Sequence, residues 1–287
     1  MNKSALLPPS PVQTSAGTVA RIRTLYPQLT EKERLVADYV LSDPDVVYRS
    51  ITEAVKRSGA GYGSVVRFCK RLGYSGFQDL KIQLTKDMAV RTAAKENETG
   101  EEGSLARLRE ACLENIRHTA QLLSEDTLTA AAKALLGAES VLVVGFGASG
   151  VTAKEVEFRL TRFGIRAISE PDSQLQRTRA VSLASNDLLF MVSFSGSTKD
   201  IILIGELASK VGATTLCLTN FAESPVAELS DIRLLTSVRI DPLRAEVASR
   251  VAASFVLDAV FDRMARLDTS VQKVLEETFN ITADTYL

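Results

Sequence analysis

Ser193–Phe194–Ser195–Gly196–Ser197–Thr198 places four hydroxyls and a run of backbone N–H groups around one glycine. Such a run carries no charge of its own, yet its aligned donors form a concavity that suits one anion, a phosphate monoester above all. A second cluster, Val144–Gly145–Phe146–Gly147–Ala148–Ser149–Gly150, follows an apolar stretch and opens a helical pattern, where unpaired N–H groups also attract an anion. Gly145, Gly147 and Gly150 satisfy the G-x-G-x-x-G dinucleotide pattern too, with Glu170 about twenty residues on. The serine-rich loop weighs against a dinucleotide, which has no evident use for it. His118 is the one histidine, so a histidine dyad or histidine-based metal site is disfavoured. No metal and no cofactor is expected.

Residues 50–72 carry a different chemistry. Ser50–Val55 opens a helix, Ser58–Gly61 supplies a turn, and Tyr62–Leu72 forms a second helix ended by Gly73. On the second helix Val65, Phe68, Cys69 and Leu72 share one apolar face, which turns Tyr62, Gly63, Val66, Arg67 and Lys70 outward. An apolar face against a partner helix and a polar, basic N-terminal half are what a DNA-recognition helix needs. Arg67 is the candidate for a base edge, guanine O6/N7 above all, and Tyr62 for a base or thymine methyl. Ser64, Lys70 and Arg71 are the candidates for phosphates. Eight basic side chains against two acids between residues 49 and 86 give this stretch a charge of +6, on a chain whose net charge is −1. The positive charge is therefore local, as a nucleic-acid face requires.

The elements around these residues fall into two groups. Residues 1–16, rich in Pro, Ser and Thr, read as a disordered arm. Residues 17–91 form the helical domain, with Thr30 and Glu33 as a capping box. The polar stretch 92–105 reads as a linker. From 106 to 287 the pattern is helical to about Leu136, with Leu113, Ile116, Leu122 and Leu123 as its stripe, and then alternates strand and helix. The strand candidates are Val141–Val144, Ile165–Ile168, Leu188–Ser193, Thr214–Leu218 and Ile232–Leu235. Alternation at this spacing implies right-handed βαβ units and a doubly wound, five-stranded parallel sheet: an α/β fold behind an all-α domain.

Composition sets the outer bounds. At 287 residues, 45% apolar and 24% charged, the chain is a globular protein long enough for two cores. Lys3 and Ala5–Leu6–Leu7 are cut off by Pro8, Pro9 and Pro11, so no signal peptide is expected, and no apolar run suits a membrane. Cys69, Cys112 and Cys217 are scattered and odd in number, which suggests a reducing cytoplasm.

The segment Val65–Lys81, with Thr30–Val40 upstream, resembles the N-terminal domain of RpiR-type bacterial transcriptional regulators. Gly61 and Gly63 depart from it, standing where the family has a hydroxyl cap and a residue able to read a base. The two loops, within roughly residues 128–268, resemble the SIS (sugar isomerase) domain, whose members bind phosphosugars. The resemblance implies Ser149, Ser193, Ser195, Ser197 and Thr198 around the phosphate, and Glu246 and Ser249 near the sugar. It implies a non-enzymatic regulator with three partners: double-stranded operator DNA, a phosphorylated sugar effector, and further copies of itself in a homodimer or homotetramer. The alternative is a phosphosugar isomerase with an accessory N-terminal domain, for which Glu246 is the one candidate base. A nicotinamide-binding redox sensor is a third reading, resting on the glycine pattern alone.

Overall fold

Thr30 begins a helix because its side chain and that of Glu33 satisfy each other's backbone. The Glu33 N–H donates to Thr30 Oγ1 (3.4 Å) and the Thr30 N–H to Glu33 Oε2 (2.9 Å). Ser50 and Glu53 repeat the device, at 3.1 and 2.9 Å. The two boxes start α2 (Glu31–Ser42) and α3 (Ile51–Ser58), which follow α1 (Thr18–Leu25). After the Gly59–Gly61 turn come α4 (Tyr62–Arg71) and α5 (Phe77–Glu96). α2 packs on both α3 and α4, and Val36, Val40, Ala54, Val65, Phe68, Cys69, Leu72 and Leu80 close the core between them. The shared apolar face of α4 is the one its spacing predicts.

This is a computed structural model; it describes the backbone of residues 17–43, 45–96, 104–238 and 245–283. Side chains 48, 88–96, 104, 107, 245–249, 279 and 281–283 are not described. The expected arm, 1–16, lies outside the described residues. So does the middle of the expected linker, 97–103; its flanks are helical, since α5 continues to Glu96 and α6 begins at Ser104. The chain divides into two compact units, residues 1–98 and 99–287.

The second unit opens with α6 (Ser104–Leu122) and α7 (Glu125–Gly137). One continuous stripe to Leu136 was the expectation, and the structure corrects it. Ser124 accepts from the Thr127 N–H (3.1 Å) and starts a new helix. On α6, Leu113 and Leu122 are 47% and 50% exposed, while Asn115 and Thr119 are buried. The inward face is polar because Thr119 Oγ1 accepts from the Ser237 N–H (3.0 Å), capping the chain beyond the last strand.

The sheet comprises β1 (Val141–Val144), β2 (Ala167–Ile168), β3 (Leu188–Val192), β4 (Thr214–Thr219) and β5 (Ile232–Leu235). All pairs are parallel, in the order β2-β1-β3-β4-β5, with Val141 opposite Leu188 and Leu188 opposite Thr214. Alternate strand residues enter opposite cores. Val143, Phe190 and Leu218 meet α7, α8 (Ala148–Arg162) and α12 (Ala245–Leu267). Leu142, Met191 and Cys217 meet α9 (Ser173–Val181), α10 (Lys199–Lys210) and α11 (Pro225–Glu228). α13 (Thr269–Ala283) closes the chain. Strand order reverses between β1 and β3, so their carboxyl ends flank the crevice where doubly wound sheets hold ligands.

Candidate functional site

Each of the two candidate anion loops is held by a glycine that no other residue could replace without displacement. At Gly145 a Cβ would lie 2.5 Å from the Ser149 carbonyl oxygen, so the turn closes tightly enough to start α8 there. Gly196 has φ +59°, and a Cβ would lie 1.9 Å from Ser224 Oγ. Its N–H donates to the Ser193 carbonyl and its own carbonyl accepts from the Val226 N–H, both at 3.0 Å, which fixes the serine loop above β4.

Within that loop Ser193 is buried, 3.5 Å from the Thr198 hydroxyl. Ser195 Oγ accepts from the Ser197 N–H (3.3 Å), and the Ser197 hydroxyl donates to the Ser195 carbonyl (3.1 Å). Thr198 is the N-cap of α10, and its hydroxyl makes no capping bond. Ser149 stands in the first turn of α8 and shares a pocket with Phe194, so the two loops meet at one crevice. Glu246 and Ser249 lie on α12, but their side chains are outside the described residues.

Several residues around the crevice were not singled out by sequence. Gln176 is fully buried and its Nε2 donates to the carbonyls of Gly145 (3.3 Å) and Glu170 (2.6 Å). Arg177, beside it on α9, pairs with Asp200 in the first turn of α10. One turn of α9 thus touches the glycine loop through Gln176 and the helix behind the serine loop through Arg177. Glu170, the carboxylate a dinucleotide would use, is held by Arg179 at 2.7 Å. Arg250 lines the crevice pocket with Ser149, Thr152, Thr219 and Thr236 over an apolar wall of Val192, Phe194, Leu218 and Ala253. The crevice is open to solvent, with a cavity of about 50 Å³ at its base. Only side-chain placement brings these residues together; their mutual spacing in sequence carries no signal.

In the helical unit, Tyr62 is 55% exposed and Arg67 and Lys70 are exposed with it. Arg67 folds back, donating to Ser64 Oγ (3.1 Å), and its guanidinium passes the position a Gly63 side chain would take, at 3.4 Å. Ser64, which accepts this bond, is 6% exposed. Arg71 is half-committed as well, pairing with Glu33 at 3.1 Å. Burial opposes ionisation of Glu33, but the Thr30 hydrogen bonds and Arg71 outweigh it and hold its pKa below the ordinary value. Gly61 caps α4 with no side-chain bond, as its residue type requires.

Residues 16–91 match the model of the helix-turn-helix domain of the rpiR family, and residues 134–263 that of the SIS domain. An uncharacterized HTH-type transcriptional regulator of Caldanaerobacter subterraneus is 34% identical over 270 residues, covering 92% of this chain and 96% of the relative. The chain belongs to the RpiR family of helix-turn-helix transcriptional regulators with a SIS domain. The HTH-type regulator YbbH of Bacillus subtilis is 31% identical over 258 residues, 88% of this chain and 91% of YbbH. Among solved structures, the NanR protein of Vibrio vulnificus complexed with ManNAc-6P is similar, with 28% identity and a TM-score of 0.79. The match covers 93% of this chain and 98% of NanR. No helix among the described residues is long and apolar enough to cross a membrane, and no group of them could hold a metal ion.

Proposed function

We propose that this RpiR-family chain is a regulator of carbohydrate metabolism whose hold on its operator is controlled by a phosphorylated sugar. The observation that carries the reading is that Ser149 of the glycine loop and Phe194 of the serine loop line one crevice at the carboxyl ends of the strands, with Ser195–Thr198 continuing from Phe194 to the start of α10. NanR, similar over nearly its whole length, was solved with a sugar phosphate, which supports the same ligand class here. Ser149, Ser193, Ser195, Ser197 and Thr198 receive the phosphate, with Glu246 and Ser249 toward the sugar.

On DNA, Arg67 reads a base edge from a pose preset by Ser64 and the bare Gly63, while Tyr62 lies beside it. Lys70 and the free part of Arg71 hold phosphates. Two recognition helices must enter major grooves roughly 34–36 Å apart or a multiple of that, so the working form is a dimer or tetramer. Relatives that are regulators support a non-enzymatic role.

Titrating the protein onto its own upstream DNA and onto random duplex at physiological salt tests the reading. A preference for the upstream DNA that a sugar phosphate alters is expected; equal binding to both, with no response to any sugar phosphate, overturns it. Arg67→Ala should cost about 1–3 kcal/mol of operator binding and leave effector affinity unchanged.

A further inference from the structure

α10 begins with an acid at the end where its proposed guest needs a positive field. Ser193–Thr198 and Val144–Gly150 contain no ionisable side chain. An anion in these loops is held by hydroxyls and N–H dipoles, so charges just beside them set its affinity. Thr198 is the N-cap of α10, Lys199 and Asp200 follow, and Asp200 is the acid of the helix's first turn. A carboxylate at that point stabilises the helix in the empty protein. It also repels a phosphate arriving at the same end.

α9 supplies the opposing charge. Arg177 Nη2 donates to Asp200 Oδ1, forming an ion pair across the two helices. Gln176, one residue before, is fully buried and donates to the carbonyls of Gly145 (3.3 Å) and Glu170 (2.6 Å). The turn that carries Arg177 is thereby tied to the glycine loop on one side and to the start of α10 on the other. Arg177 Nε is buried and makes no hydrogen bond among the described residues. A guanidinium seated in this way serves its partner by charge more than by a full set of bonds. Lys199, by contrast, is exposed, where solvent and salt screen its ammonium.

We infer that Arg177 is a positioning residue for the effector's phosphate: it neutralises and holds Asp200, so that the N-terminus of α10 accepts an anion despite its own acid. The inference rests on the phosphate reading of the serine loop and identifies what sets the strength of that same site.

The pair can be broken from either side. Arg177→Met leaves Asp200 uncompensated, whereas Asp200→Asn removes the charge that needs compensation. Both destroy the same contact between α9 and α10, so a purely structural tie predicts one sign for both. Charge compensation predicts opposite signs. The probe is inorganic phosphate, its Kd taken from the rise in melting temperature of the full chain at fixed ionic strength. The double variant Ser195→Ala, Thr198→Ala identifies the share of that rise due to the serine loop, and melting without phosphate shows that each variant folds.

Arg177→Met should weaken phosphate about tenfold, and Asp200→Asn should bind it at least as tightly as the wild type. Combining the two should return Kd close to the wild-type value, and the Arg177→Met deficit should shrink in a second series at higher KCl. Equal weakening by both single variants, or a combined variant as weak as Arg177→Met, overturns the inference and leaves the phosphate reading standing. So does an Arg177→Met protein that binds phosphate as the wild type does. A wild type that phosphate does not stabilise through the serine loop overturns both.

Discussion

A buried lysine illustrates how one residue ties stability to pH. Lys81, 5% exposed, donates to the Arg49 carbonyl (2.8 Å) and lies 5.6 Å from the Phe77 ring centroid. Burial pushes its pKa down to about 8, against a smaller opposing pull from Glu53. Between about pH 8 and 10.5 the unfolded chain holds this proton and the folded chain does not, so unfolding free energy rises with pH across that window. Urea denaturation at pH 8 and pH 10 should show this gain, on the order of a few kcal/mol, relative to Lys81→Met. Parallel pH curves for the two proteins would refute it. Gly196→Ala acts by sterics instead: the added Cβ meets Ser224 Oγ, which also caps α11 by accepting from the Ala227 N–H (3.3 Å). A loss of about 2 kcal/mol or more in stability is expected, read as a lowered melting temperature, together with a weaker response to phosphates. The two loops were legible in sequence as strand-to-helix turns because their glycines and serines stand directly between an apolar run and a helical pattern. Gln176, Arg177 and Arg250 were not, because their roles depend on which atoms the fold brings beside them.

Among the elements, helix starts and strands were the easiest to read. Thr30 with Glu33 forms the expected capping box, and all five strand positions hold, with β2 trimmed to an edge of two residues. Local hydrogen bonding and short continuous apolar runs decide these features, and both are written in adjacent residues. α6 was misread because its buried face carries the polar Asn115 and Thr119, the latter bonded to a loop over a hundred residues later in the chain. No local pattern could announce that partner. The cap chemistry is testable by contrast. Thr30→Ala should cost about 1 kcal/mol by removing the side-chain half of a box, and Gly61→Ser should gain only a few tenths where no neighbour lies within 4 Å. Chemical denaturation of the helical unit's signal checks both. A gain at Gly61→Ser as large as the loss at Thr30→Ala would contradict the near-equivalence of glycine and serine as caps here.

At the scale of the whole molecule, the chain joins a helical unit, in which Ser64 holds Arg67, to an α/β unit whose glycine and serine loops both border one crevice. Coupling between them is a difference in effector affinity between DNA-competent and DNA-incompetent states, typically about 1–3 kcal/mol. On the proposed reading it needs the hydroxyls of the serine loop and leaves the recognition helix untouched. The direct test is fluorescence anisotropy of the labelled upstream DNA with wild type and with the double variant Ser195→Ala, Thr198→Ala, across a titration of sugar phosphate. Both proteins should bind DNA equally without effector, and only the wild type should shift its affinity, by about 5- to 150-fold, as effector is added. A double variant that still responds like the wild type would contradict the assignment of the serine loop as the effector site.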